Sequence, residues 1–595
     1  MYNDINGAHL PRYIGVWDNL WDGESPFWWG AIFSGQNGLG AGQSAPFYLP
    51  NIIFGWLHPV TAFRWWFFAH LWLMAAGWFV WSLRRWETLT GAVVSGIVGT
   101  LNGVLVSHFI DTPYIAAIAL VPWIMFAADR VLAAPTPRSV VGLSLLLTGI
   151  TFTGHPQLLW LVLVALACIL IVQLVQRPVP WRPCLAVCSS IVLSLGLSAA
   201  ALIPQVTFGR TSVRPRLAKV DAFAISEEPR HLWTLVAPNI MGGAQSAFGW
   251  STRFLGGTEQ PEQLNYLGII ALALALIAVV THWRDRRIWP FIVMGVFGLL
   301  SSLGGFTPFG DLVFEVVPLA DRFRVWARNL LLLNIAVSLL AALGVREILR
   351  RPRRWITGTM LGTAGLAVVL MVLPAITDLG GALLRGTEGT TARLVPVVFL
   401  VFLAIGMWLC SRDRRRGIAA IIVFCALDMG TFAASGLWRG DGATREEARA
   451  IWDSGAPYFG PVVDAPGGID RWASDVADSS TLWPAVLGAD APTINGYDPL
   501  LQADYSFTLG GMAYNGFVPA PGFWQGGWVP DILRTTTLLA SGYAGQVGPG
   551  WNYQGQAGLD AVYTYSPRLA DAYLVGTARI STLDEARAGI YDPNT

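Results

Sequence analysis

Apolar stretches long enough to cross a bilayer recur through most of this chain, and they constrain its fold more than any motif. About 20 helical residues span a hydrocarbon core. Stretches of that kind lie near 61–83, 89–107, 112–130, 138–153, 156–176, 183–206, 265–282, 289–304, 329–346, 355–376, 394–410 and 417–435. The expected fold class is mainly α, a polytopic membrane helical bundle of about twelve spans. Composition agrees: of 595 residues 54% are hydrophobic and 13% charged, with mean hydropathy +0.50, where an average soluble domain is about 25% charged. A disordered chain, a nucleic-acid binder built on basic patches and an ordinary cytosolic enzyme are excluded.

The connecting loops alternate in charge. Every second one is short and rich in arginine: Arg84 and Arg85; Arg130 and Arg138; Arg177 and Arg182; Arg284, Arg286 and Arg287; Arg346, Arg350, Arg351, Arg353 and Arg354; Arg412, Arg414, Arg415 and Arg416. The positive-inside rule places these six in the cytoplasm. Segments 1–60, 107–112, 153–156, 207–264, 305–328, 377–393 and the tail from 436 then face outward. An outward 1–60 needs either a further N-terminal helix upstream or post-translational insertion of the first hairpin, and the helix is the favoured expectation. The inner loops are too short for a nucleotide-fuelled catalytic domain. The cysteines, Cys168, Cys184, Cys188, Cys410 and Cys425, lie in or beside apolar stretches, the pattern of buried free thiols rather than a disulfide framework.

Three regions follow: a first extracytoplasmic loop, 1–60; a transmembrane part, 61–435, carrying the long outer loop 207–264; and a tail, 436–595. The tail holds 17 acids and 8 bases, a net of −9. Gly, Pro, Asp, Tyr and Trp dominate it, and short strand-like runs such as 571–575 are separated by turn residues. It reads as a smaller extracytoplasmic domain, β-rich or α/β.

Ionisable and aromatic side chains gather in the outer segments. The first loop offers Asp4, His9, Arg12, Asp18, Asp22 and Glu24 among Trp17, Trp21, Trp28 and Trp29. Carboxylates there suit a general base or a metal ligand; aromatic faces suit sugar rings, and the amides of Gln36, Asn37 and Gln43 suit their hydroxyls. An interfacial tryptophan belt explains the Trp residues equally well. The turn GHPQ puts His155 and Gln157 at an outer junction of two spans, and SHFIDTPY puts His108 and Asp111 at another. A histidine beside the membrane is costly unless paired or functional. Acid plus histidine raises the expectation of a divalent cation, although the spacing fits no recognised metal motif. ADRFRVWARNL places Arg322, Arg324 and Arg328 where an outer loop meets a span. Arginine presents a fixed, always-charged fork to phosphate oxygens; pairing with Asp311, Glu315 or Asp321 is the structural alternative.

These pieces together resemble the bacterial YfhO-type membrane proteins of the class-C glycosyltransferase (GT-C) superfamily. The resemblance is carried by the Asp4 loop with SPFWW, GHPQ, EQLNYLG (262–268), DRFRVWARN (321–329), INGYDPLL (494–501) and SPRLADAYLV (566–575). It implies a GT-C-like bundle in the inner or plasma membrane, a polyprenyl-phosphate-linked sugar donor, an extracytoplasmic active site and a catalytic aspartate in the first outer loop, at Asp4. Sugar would pass to a cell-envelope glycan or glycolipid by one inverting displacement. Arg322, Arg324 and Arg328 would bind the donor phosphate, and His155, Gln157, His108, Trp28 and Trp29 the substrates. A secondary transporter, or an accessory protein for export of an envelope polymer or glycolipid, are the alternatives.

Overall fold

The computed structural model describes residues 9–30, 32, 34–109, 111–175, 179–212, 218–238, 260–350, 362, 387–435, 471–474, 505–506, 529–540, 547, 550–557 and 560–567. The chain divides into two compact units. One comprises Phe67–Ser198 and Arg216–Asp441; the other comprises Met1–Trp66, Ala199–Pro215 and Gly442–Thr595.

Among the described residues, seven helices are long and apolar enough to cross a membrane: Pro59–Trp86, Leu89–Val106, Thr112–Ala133, Pro156–Val175, Trp326–Arg350, Leu394–Arg412 and Arg414–Ala434. Trp181–Leu197 and Ala199–Thr211 form an eighth if counted as one bent span, and Pro137–Phe152, Ile269–His282 and Trp289–Ser302 are shorter apolar helices. Eleven of the twelve expected spans therefore have a helix in place. The twelfth, 355–376, lies outside the described residues.

In the first unit the Leu330–Arg350 helix is buried almost all round and packs against Ile269–His282, Trp289–Ser302 and Leu89–Leu101. Leu, Ile, Val and Ala on every face suit a helix with no solvent side. Small residues let its neighbours approach closely: a Cβ on Gly344 would run into the Leu274 carbonyl oxygen. Four of the loops expected to share the cytoplasmic side, those beside Arg85, Arg130, Arg287 and Arg346, meet at one end of this unit. Arg85 Nη2 donates to the Arg287 carbonyl oxygen (2.9 Å), Arg346 Nη1 to that of Trp86 (3.3 Å), and Trp81 Nε1 to Asp129 Oδ2 (2.7 Å).

At the other end the EQLNYLG segment runs against Gly103, whose close approach leaves no room for a Cβ beside Tyr266 N. Tyr266 donates its hydroxyl to Asp428, and Asp428 Oδ2 accepts from Ile270 N (3.1 Å). Gly268, at φ 84°, turns the chain into the Ile269–His282 helix. Asp428, buried in the last span, thus satisfies an orphan N–H of that helix's first turn. A carboxyl at membrane depth marks a functional candidate by default; here its contacts are those of a cap.

In the second unit, Leu10–Trp21 is a helix where the sequence reading has a loop. Leu10, Tyr13, Ile14 and Val16 are its buried apolar residues, and Tyr13 packs on Phe54 and Trp66, with ring centroids 5.4 and 6.4 Å apart. Trp28 and Trp29 pair antiparallel with Asn37 and Gln36. Segments of the tail form a four-stranded sheet in the order Arg471–Ser474, Thr535–Ala540, Asp560–Tyr565, Trp551–Ala557, the first pair parallel and the others antiparallel. Ser34 Oγ and Tyr505 Oη, 3.0 Å apart, join the first loop to the tail within this unit. The strand-like run 571–575 falls outside the described residues.

Candidate functional site

Four chain segments of the first unit bring their polar side chains to one buried cluster. Asp111 caps the Thr112–Ala133 helix, its Oδ1 accepting from Tyr114 N at 3.1 Å. That cap sets His108 and Tyr114 on either side of the turn. Gly154, at φ 79°, closes the Pro137–Phe152 helix and presents His155 just before Pro156 begins the next. Glu262 sits at the end of the long loop, and Arg328 in the turn that opens the Leu330–Arg350 helix.

Arg328 is the hub. Its Nε donates to Glu262 Oε2 (2.9 Å) and Oε1 (3.1 Å), and its Nη2 also donates to Oε1. Nη2 lies 3.8 Å from Asp111 Oδ2, and Nη1 lies 2.9 Å from His155 Nε2. The guanidinium carbon stands 5.3 Å from the Tyr114 ring centroid. His108 stacks on that ring at 4.0 Å and 12°, and His155 meets it edge-on at 5.5 Å. Tyr114, fully buried, is the platform on which all three are ordered.

The two histidines face opposite kinds of partner. His108 Nδ1 is 2.8 Å from the Val104 carbonyl oxygen and Nε2 is 2.9 Å from Glu262 Oε2, so both ring nitrogens address acceptors. His155 is addressed by two donors, Leu158 N at 3.3 Å from Nδ1 and Arg328 Nη1. Burial, then the Arg328 charge, push its pKa down to about 3. It is neutral at physiological pH and has one lone pair for two donors. Burial pushes the Glu262 carboxyl up, but Arg328 and His108 outweigh it and hold it below the ordinary range. Glu262 is therefore ionised, and Arg328 is paired to it through Nε and Nη2, one edge of its guanidinium. The second Nη1 hydrogen of Arg328 has no protein acceptor among the described residues.

Of the residues expected in the site, His108, His155 and Arg328 come together here. Gln157 acts beside it, donating from Nε2 to the Val325 carbonyl oxygen at 2.6 Å and so bracing the segment that carries Arg328. Arg322 is exposed, its Nε 3.5 Å from Asp321 Oδ1, and Arg324 is half-buried. Asp311 and Glu315 pair instead with Lys219, at 2.7 and 3.5 Å. Trp28 and Trp29 belong to the other unit. Trp28 is exposed; Trp29 is buried 5.5 Å from the guanidinium of Arg12, which donates to Gln43 Oε1. Asp4 lies outside the described residues. No group of three or more His, Cys, Asp or Glu among the described residues is placed to hold a metal ion. Sequence reasoning missed Glu262 and Tyr114 as members. Their signals were present, an acid opening EQLNYLG just before a span and a tyrosine three residues after Asp111.

No family model and no curated protein matches the chain. Among solved structures it is similar to ArnT from Cupriavidus metallidurans bound to undecaprenyl phosphate, at 13% identity over 95% of each chain with a TM-score of 0.48. The apo state of the same protein gives 12% identity over 94% of each chain, also with a TM-score of 0.48. At this level of likeness the functional reading is borne by the chain's own residues.

Proposed function

We propose that this chain is a membrane glycosyltransferase of the GT-C superfamily and the YfhO-type family. It moves sugar from a polyprenyl-phosphate donor to an extracytoplasmic envelope glycan or glycolipid. One observation carries the reading: GHPQ and the arginine motif, far apart in sequence, put His155 Nε2 and Arg328 Nη1 2.9 Å apart, and His155 is the one partner of Nη1 among the described residues. A phosphate oxygen there accepts from Nη1 of an arginine already oriented by Glu262 and Tyr114. Asp4 takes the proton of the acceptor hydroxyl. The hydroxyl oxygen bonds to the anomeric carbon as the bond from that carbon to the phosphate oxygen breaks. The electron pair leaves with the polyprenyl phosphate, which Arg328 stabilises, and the configuration inverts.

The test is transfer from a polyprenyl-phosphate sugar by membranes carrying Arg328 variants. Loss of one positioned donor to a developing anion costs about 10²- to 10³-fold. Arg328→Lys keeps the charge but loses the fork, so it is expected to fall nearly as far as Arg328→Ala. Wild-type turnover in both variants would take Arg328 out of the mechanism.

The same reading places the first loop, this site and the tail outside the cytoplasm. In a chain freed of its five native cysteines, Gly35→Cys and Gly542→Cys are expected to react with an impermeant thiol reagent in whole cells. Arg286→Cys is expected to stay protected. The opposite pattern would invert the topology.

A further inference from the structure

Beside the cluster lies a second buried acid that the mechanism does not use. Glu227 is fully buried, and its main-chain N–H donates to the Ser302 carbonyl oxygen at 2.8 Å. Its Oε2 accepts from Asn265 Nδ2 at 3.3 Å, while Oε1 is buried with no hydrogen-bond partner among the described residues. The same Asn265 Nδ2 donates to the main-chain oxygen of Glu262 at 3.0 Å. One amide group therefore ties Glu227 to the turn that presents Glu262 to Arg328.

We propose that Glu227 stands in the folded protein as a neutral carboxylic acid and, through Asn265, is a positioning residue for the Glu262–Arg328 pair. An ionised carboxylate so deep requires a cation. Among the described residues, the cations on the segments around it pair with other acids: Arg328 with Glu262, and Arg230 with Glu228 at 2.6 Å. The acidic groups that face it, Glu228 in its own segment and Glu262 across Asn265, both disfavour a further negative charge. Ser302 and Asn329, from the two elements packed on this segment, bring no charge. Burial drives the Glu227 carboxyl well above the ordinary carboxylate range, and the Asn265 bond draws it back by less.

The positioning role rests on the transfer reaction proposed above; the protonation does not, and it is read independently. The full-length protein is compared with Glu227→Gln by difference infrared spectroscopy near neutral pH. A carboxylic-acid carbonyl band is expected in the wild type and absent from the variant. Because the folded state binds the proton more tightly than the unfolded chain, wild-type stability falls as pH rises above the ordinary glutamate range of about 4.3. Glu227→Gln, isosteric and uncharged, is expected to lose that fall and to keep the wild-type melting temperature at low pH. In the transfer assay Glu227→Ala is expected to drop about tenfold or more in kcat, with Glu227→Gln recovering most of it and flattening the alkaline side of the pH profile. An unchanged infrared band in Glu227→Gln, or a Gln variant as damaged as the Ala variant, would overturn the proposal. A wild type with the band but no sugar transfer would leave the neutral acid standing and remove the reaction.

Discussion

Replacing Arg328 with alanine is expected to destabilise the protein by about 3–5 kcal/mol, because it strips the buried Glu262 carboxylate of its arginine and leaves only His108 against it. Side chains of both residues are nearly inaccessible, at 14% and 10% exposure, so solvent does little to screen the orphan. Glu262→Ala is expected to cost less, since Arg328 keeps Asp111 at 3.8 Å. The double variant removes both charges. Its loss is expected to fall short of the sum of the single losses by about 1–3 kcal/mol. Arg322→Ala, at an exposed site, is expected to stay within about 0.5 kcal/mol of wild type. Thermal unfolding of the purified protein in detergent reads all four. Additive single losses would mean that the pair is a crowded contact rather than a coupled ion pair.

Asp4→Asn is expected to lower sugar transfer by about 10²- to 10⁴-fold, the usual cost of removing a positioned base. Asparagine keeps the shape and removes the basicity, so the variant is expected to fold and to bind donor lipid normally. Asp18 and Asp22 are the competing acids of the first loop. Asp18 lies on the Leu10–Trp21 helix and Asp22 at its end, and both are exposed. Asp18→Asn and Asp22→Asn are expected to lose far less. The assay uses the full-length gene with any upstream helix included. Normal transfer by Asp4→Asn alongside loss in Asp18→Asn or Asp22→Asn would move the base to that position.

The helical unit was legible because each span states its own burial. A run such as residues 330–345 can only be a helix surrounded by protein or lipid, whatever lies elsewhere in the chain. Arginine alternation gave each loop an expected side, and Arg85 with Arg287 and Arg346 with Trp86 are in contact at one end of the unit. The Leu10–Trp21 helix was readable in its period, since Leu10, Tyr13, Ile14, Trp17 and Trp21 recur at helical spacing with Asp18 on the exposed face; it was missed because the polar and tryptophan-rich composition of 1–60 reads as a loop.

The site was legible by residue type but not by partnership. His155, His108 and Arg328 were picked out because charge and imidazole are costly beside a membrane. Their common partner was not, since Glu262 lies 66 positions from Arg328 and 154 from His108. No local period encodes such a separation. Gln157 stood out in GHPQ as a substrate-binding residue, and its Nε2 is engaged by the Val325 carbonyl oxygen. The orphan oxygen of Glu227 could not be read from sequence at all, because it exists only once Ser302 and Asn265 have closed around it.

The central claim is that this protein takes sugar from a polyprenyl-phosphate donor. It is tested most directly by incubating the purified full-length protein with a radiolabelled polyprenyl-phosphate sugar and envelope extract, and following both the label and the freed lipid phosphate. The account predicts that label moves to an envelope glycan or glycolipid as polyprenyl phosphate appears in equal amount, with the anomeric configuration inverted. Label that stays on the lipid with wild-type protein across a range of such donors, or that moves equally well with Arg328→Ala, would contradict it.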